Sequence, residues 1–248
     1  MENDIRIVYS LQDPAALNIA NELEKIGTAG FKMEGFDGSQ LEFSGERGRQ
    51  YIMLSRHKSE KRIRSLTCHH TGNWTGEALY GGKPGDVCIS MPSVMCGISG
   101  EISKRVGALH EYSFSFEVTH HGPTGDFAVL FVEIGSCEED WGNRKAGRVI
   151  AESIACFEPC REGEAVMGVG GPHYAPNFTR LSGKYRIGHI IPKYAVDGLG
   201  YDAFVKGIEK STEGIGLVVI DWKGLDGKQR EKITGFCNAY GIEWLKNG

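Results

Sequence analysis

Eight histidines, His57, His69, His70, His110, His120, His121, His173 and His189, are the residues of this 248-residue chain best suited to proton transfer or metal ligation. Most stand where an apolar run gives way to a polar turn. Tyr51 to Leu54 leads into Ser55-Arg56-His57-Lys58, and Ser65 to Cys68 leads into His69-His70-Thr71-Gly72-Asn73. Phe116 to Thr119 leads into His120-His121-Gly122-Pro123, and Val166 to Val169 into Gly170-Gly171-Pro172-His173-Tyr174. Loops beyond the carboxyl ends of parallel strands are where α/β sheets bind ligands and assemble active sites. Taken singly, each histidine is accounted for by a hydrogen bond at a turn. Taken together, they point to one shared polar site.

Neighbouring strand residues face opposite ways, so one histidine of His69/His70 and one of His120/His121 should enter that site unless the strand has already ended. Joined by Glu133 or His173, they would make a three-ligand hydrolytic zinc site with a coordinated water. The chain has no HExxH motif, no G-x-S-x-G elbow and no P-loop. Gly168 to Gly171 is followed by Pro172 and His173 where a dinucleotide-binding helix would have to open, which argues against a Rossmann loop. Cys68 and Cys137 lie near the histidine-rich segments, but a thiol nucleophile is the less favoured chemistry, because cysteine is more often simply buried.

Alternating strands and helices must carry these turns. Strands are expected at 5–10, 40–44, 50–54, 65–69, 87–91, 112–119, 127–134, 165–169, 187–191 and 217–221. Asp13-Pro14 is a capping acid followed by proline at the first helical position, and Gly27 closes that helix. Further helices are expected at 94–109, 141–156, 176–184, 201–211 and 226–240. The order predicts an α/β fold, a three-layer α/β/α arrangement around a mixed, mainly parallel sheet, and one domain over 1–248.

Composition sets bounds on this reading. Glycine, at 35 residues, is about twice the usual ~7%, as a chain rich in tight turns requires. No apolar run approaches a membrane span, and Met-Glu-Asn-Asp opens without a secretory signal. Seven scattered cysteines without a CxxC repeat suit free thiols in a reducing compartment, so a cytoplasmic protein is expected, with a monomer as the default. The net charge of −4 speaks against general nucleic-acid or DNA binding. Arg56, Lys58, Lys61, Arg62 and Arg64 against Glu60 nevertheless form a local basic stretch able to meet phosphates.

Six of these turns, in order and over nearly the whole chain, resemble one family. Ser55-Arg56-His57, Ser65-Leu66-Thr67-x-His69 with Thr71-Gly72-Asn73, and Glu117 to Thr124 are similar to the archaeal and plant D-aminoacyl-tRNA deacylases. So are Phe131 to Ser136, Gly170-Gly171-x-His173-Tyr174-Ala175-Pro176 and Gly188-His189-Ile190. Cys68, His70 and Trp74 fall where that resemblance leaves the residue variable. The resemblance implies a phosphorylase/hydrolase-like α/β domain, one or two zinc ions, and hydrolysis of the ester joining a D-amino acid to tRNA. Under it His69, His120, Glu133 and His173 are expected as metal ligands, with His57 and His121 completing the catalytic set. Arg56, Lys58, Thr71, Asn73 and His189 are expected at the substrate, the first two against phosphates of the acceptor end. Gly170, Gly171 and Tyr174 would shape a rigid wall that excludes L-amino acids by clash.

Two rivals stand beside this expectation. A zinc peptidase or amidohydrolase acting on small amides would use the same ligands. A noncatalytic RNA-binding protein would use only the basic stretch and show steep salt dependence without turnover.

Overall fold

The computed structural model describes residues 5–248; Met-Glu-Asn-Asp, on which the reading of the N-terminus and the first four residues of the expected domain rest, lies outside them. In chain order the elements are β1 (Ile5–Ser10), α1 (Pro14–Ile26), β2 (Lys32–Phe36), β3 (Gln50–Lys58), β4 (Ser65–His70), β5 (Gly72–Asn73) and β6 (Asp86–Val87). Then follow α2 (Pro92–Arg105), β7 (Ser113–Phe116), β8 (Ala128–Ser136), α3 (Glu138–Trp141), α4 (Arg144–Cys156), β9 (Glu164–Val169) and α5 (Pro176–Leu181). The chain closes with β10 (Tyr185–Ile191), α6 (Lys193–Val196), α7 (Tyr201–Glu209), β11 (Leu217–Asp221), α8 (Gly227–Tyr240) and β12 (Glu243–Asn247).

The fold is α/β with mixed, mainly parallel pairing, as the sequence predicts. The strands divide into a larger sheet in the order β2-β1-β3-β8-β4-β7 and a smaller one in the order β10-β9-β11-β12, with β5 and β6 forming a short ribbon. β4 runs antiparallel to β8; every other pairing within the two larger sheets is parallel. All nine residues of β8 are buried, as befits a strand with a sheet neighbour on each side and packing on both faces. Leu66, Phe116 and Val132 from one sheet share a single apolar core with Val166, Ile187 and Val219 from the other.

Local chemistry explains where the elements begin and end. Asp13 accepts hydrogen bonds from the backbone N–H groups of Ala15 and Ala16 at 2.9 and 3.0 Å, and the helix it starts buries Ala15, Ala16, Ile19, Ala20 and Leu23. Residues 40–44, expected as a strand, instead hold a 3-10 turn at Gln40–Glu42, because Ser39 accepts from Leu41 N–H and caps it. The expected helix over 141–156 breaks at Gly142, and Asn143 caps α4 by accepting from Lys145 and Ala146. β2 and β12 lie at sheet edges, and their charged, half-exposed residues lack the apolar pattern that reveals a strand.

One expectation about the cysteines is corrected. Cys96 and Cys160 form a disulfide across 64 residues, joining α2 to the segment after α4, while Cys68, Cys88, Cys137, Cys156 and Cys237 are free. The sequence hid this pair because its partners meet only through tertiary packing, where Cys160 N–H donates to Ser93 O at 3.0 Å. Among the described residues no helix is long and apolar enough to cross a membrane.

Candidate functional site

Strand register assembles the floor of the site. Residues paired directly across a sheet share a face. Thr67 pairs with Glu133 and His69 with Phe131 between β4 and β8, while Ser55 and His57 on β3 pair with Glu133 and Gly135. Thr67, His69, Phe131, Glu133, Ser55 and His57 therefore present one surface, and His70 faces the other way. Phe131, fully buried, underlies the imidazoles of His69 and His121, each with ring centroids 5.3 Å from its own.

Two loops complete the cluster. After β7 the chain leaves the sheet, with Glu117 N–H donating to Cys68 O and Val118 N–H to His173 O. At His121 the backbone turns left-handed, with φ +44°, so both His120 and His121 enter the site rather than one of the pair. The strand has already ended there, which is the condition under which the alternation rule lapses. The loop after β9 brings His173 and Tyr174.

At the centre His57 Nδ1 lies 3.0 Å from Glu117 Oε1 and 3.6 Å from Glu133 Oε2, while its Nε2 is 3.0 Å from the Tyr174 hydroxyl. His173 Nε2 is 3.1 Å from Glu117 Oε2, and His120 Nε2 is 3.6 Å from the same oxygen. His69 Nε2 is 3.7 Å from Glu133 Oε2. Close as these contacts are, both Glu117 oxygens and His69 Nε2 are buried without a partner in hydrogen-bonding geometry. Such groups cost about 1–3 kcal/mol each unless something satisfies them.

Electrostatics divides the imidazoles into two kinds. Burial, helped by neighbouring imidazoles, pushes His120 well below the usual histidine range and His121 down to about 4, so both are neutral. Burial opposes charge on His57 as well, but Glu117 and Glu133 outweigh it and push His57 up to about 11. His69 is raised, its burial outweighed by Glu133. Burial would lift both carboxylates, yet His173 and His57 hold Glu117 well below its ordinary value, and His57 and His69 hold Glu133 at about 2. The two buried carboxylates thus share the positive charge of His57 and His69.

The donor chemistry fits a metal ion. His69 Nδ1 sits 3.1 Å from His70 O, His120 Nδ1 2.8 Å from Val118 O and His121 Nδ1 2.6 Å from Gly122 O. A ring that donates from Nδ1 to a carbonyl keeps its Nε2 lone pair free, which is how ligating histidines are usually held. Three overlapping groups bring their donor atoms within 4.8 Å of one another: His69, His120 and His121; His57, Glu117 and His173; and His69, Glu117 and Glu133.

This centre opens into a cavity of about 580 Å³ with His57, His120, His121, Glu133 and His173 at its base. Gln40, Leu41, Arg56, Lys58 and Tyr80 stand around it, and an adjoining cavity of about 480 Å³ is lined by Lys58, Lys61, His173 and Tyr174. Within the basic stretch, Arg62 and Arg64 are held by acids away from this cavity, and Arg56 at its edge packs on an aromatic ring. Arg62 pairs with Glu139, Arg64 with Asp140 and Glu111, and Arg56 lies over the Trp141 ring.

Other residues expected at the substrate serve as framework. Thr71 is fully buried and donates from Oγ1 to Pro123 O at 2.7 Å. Asn73 Nδ2 donates to Gly81 O at 2.9 Å. His189 is fully buried between Thr119 Oγ1 (3.0 Å) and Cys88 O (2.9 Å). Gly170 and Gly171, with φ +106° and +87°, pack beside Asp221 at the end of β11 and are not among the residues lining the 580 Å³ cavity. His110 lies on an exposed turn, outside the cluster. Glu117 is a site residue that the sequence alone does not single out, although an acid inside the run Phe116 to Thr119, three residues before His120, is a signal for it.

The sequence model of the D-aminoacyl-tRNA deacylase family matches residues 44–245. A D-aminoacyl-tRNA deacylase of Ignicoccus hospitalis is 36% identical, covering 97% of this chain and 98% of that protein. One of Pyrococcus furiosus is 38% identical, over 79% of this chain and 73% of its own length. Among solved structures, the conserved protein of unknown function AF0625 superposes with a TM-score of 0.87 at 27% identity, covering 98% of this chain and 94% of its own.

Proposed function

The chain belongs to the D-aminoacyl-tRNA deacylase family, and on that premise we propose that it hydrolyses the ester between a D-amino acid and tRNA at the histidine and glutamate cluster. The observation that carries the assignment is the convergence of five imidazoles and two carboxylates on partnerless buried atoms at the base of an open cavity. Zinc is the ion that such nitrogen and carboxylate donors favour. His69, His120 and His121 would hold the ion, with Glu117 and Glu133 close to His69 to balance its charge. Bound there, zinc supplies Lewis acidity toward the ester carbonyl and lowers the pKa of water.

The chain's own groups do the rest. His173, its side chain 38% exposed, is the imidazole of the cluster most open to solvent and takes the proton of the attacking water at Nε2. The hydrogen bond between the Tyr174 hydroxyl and His57 Nε2, with the ion pair of His57 Nδ1 to Glu117, keeps the His57 ring oriented. Lys58 and Lys61, beside the adjoining cavity, meet phosphates of the acceptor end. Gly170 and Gly171 shape the chiral pocket through the loop they hold, since their left-handed backbone fixes His173 and Tyr174. Gly171→Val should therefore lower turnover about a hundredfold by displacing those side chains. Unchanged rates on D-tyrosyl-tRNA would remove the glycines from the pocket. A tRNA substrate would be met in the cytoplasm.

A panel of D- and L-aminoacyl-tRNAs, simple aminoacyl esters and free peptides, assayed with and without a chelator, tests the proposal. Release from D-aminoacyl-tRNA, lost on chelation and restored by zinc, is the expected result. Preference for small amides would move the peptidase reading to the front. Salt-sensitive binding without release would leave only an RNA-binding protein.

A further inference from the structure

Leu79 and Tyr80 lie at the tip of the segment between β5 and β6, 79% and 68% exposed. Large apolar side chains so open are ordinary when scattered, but the backbone under this pair is pinned. Gly122 N–H donates to Tyr80 O at 2.8 Å, Asn73 Nδ2 to Gly81 O at 2.9 Å, and Lys83 N–H to Thr124 Oγ1 at 2.8 Å. Gly81, with φ +75°, approaches Leu41 so closely that any Cβ would collide with the Leu41 carbonyl. Gly122 directly follows His121, so one short stretch fixes both an imidazole of the centre and the backbone of Tyr80. Tyr80 is also among the residues lining the cavity that has the imidazoles at its base.

We propose that Tyr80 is the platform on which the terminal base of the tRNA substrate stacks, an inference that rests on the deacylase reading above. With the ester at the imidazoles, the base carried by the same ribose must lie toward the rim, where Tyr80 stands. A terminal base has an open π-face, and an aromatic ring accepts any base with little demand on sequence. Holding the ring on a pinned backbone lowers the ordering cost of binding. Lys58, on the wall of the same cavity, is in place for the phosphates that precede that nucleoside. The ring does this work, and the hydroxyl is dispensable.

Steady-state kinetics of Tyr80→Ala and Tyr80→Phe on D-tyrosyl-tRNA and on D-tyrosine ethyl ester, which has no base, test the role. Tyr80→Ala should raise KM for the tRNA substrate about tenfold to a hundredfold with kcat little altered, while Tyr80→Phe restores it. The loss on the ethyl ester should be at least about tenfold smaller. An uncharged RNA hairpin ending in 2-aminopurine should lose fluorescence on binding the unaltered protein and Tyr80→Phe, but not Tyr80→Ala. Equal losses on the two substrates would mean that Tyr80 touches the amino acid and would overturn the stacking role, as would an unchanged KM. Absence of release from D-tyrosyl-tRNA by the unaltered protein would defeat the deacylase reading itself. Because Tyr80 is exposed, an unchanged melting curve identifies Tyr80→Ala as folded.

Discussion

Glu117 is the residue on which most of the site's contacts converge. It meets His57, His120 and His173 while fully buried, and its two oxygens lack hydrogen bonds. Replacing it with Gln keeps the volume but removes the charge that His57 balances. Glu117→Gln should lower kcat by about a hundredfold to ten-thousandfold and reduce the zinc retained per chain, measured by single-turnover release and by metal content after gel filtration. Full activity with full zinc would place the metal elsewhere. The sequence made the histidines legible because they interrupt apolar runs at strand ends. Glu117 was harder to see, since one acid in Phe116 to Thr119 looks like a solvated strand residue until the loops close over it.

At the scale of elements, the strand register decides which histidine does what. His69 faces the cluster, while His70, its neighbour on β4, faces β10, within 3.1 Å of Gly188 O and accepting Met91 N–H at 2.9 Å. His70 thereby ties the larger sheet to the smaller one and to the start of α2. Burial pushes it well below the ordinary histidine range, so it serves as a neutral linker. His70→Ala would leave a cavity and two unsatisfied backbone groups, lowering stability by about 2–5 kcal/mol in urea unfolding. An unchanged midpoint would show that the sheets hold together without it. The sequence-level rule of alternation anticipated this division for His69 and His70. It did not do so for His120 and His121, because φ +44° at His121 is a property of the turn and leaves no mark in residue type. Strands β2 and β12 escaped for a related reason, since edge strands carry charge where central strands carry Val and Ile. The disulfide between Cys96 and Cys160 belongs to this scale too. Closing 64 residues, it should contribute about 4 kcal/mol, lost on reduction and readable as a lower melting temperature.

At the scale of the whole molecule, an acidic chain must attract a polyanion through a small part of its surface. Arg62 and Arg64 are paired with Glu139, Asp140 and Glu111, so under the proposed function Lys58, Lys61 and the rim of the cavity would meet RNA. Few phosphate contacts would give a shallow dependence of KM on salt. The alternation of strands and helices was enough to read α/β pairing from the sequence. The division into two sheets was not, because it depends on which strands pair, and the junction at His70 is visible only in three dimensions. The central claim is that this cavity hydrolyses the ester of a D-amino acid and spares that of an L-amino acid. Single-turnover release of tyrosine from D-tyrosyl-tRNA and from L-tyrosyl-tRNA, with zinc supplied and enzyme in excess, tests it most directly. Rapid release from the D-substrate with the L-substrate left charged is the result expected; equal release from both, or from neither, would contradict it.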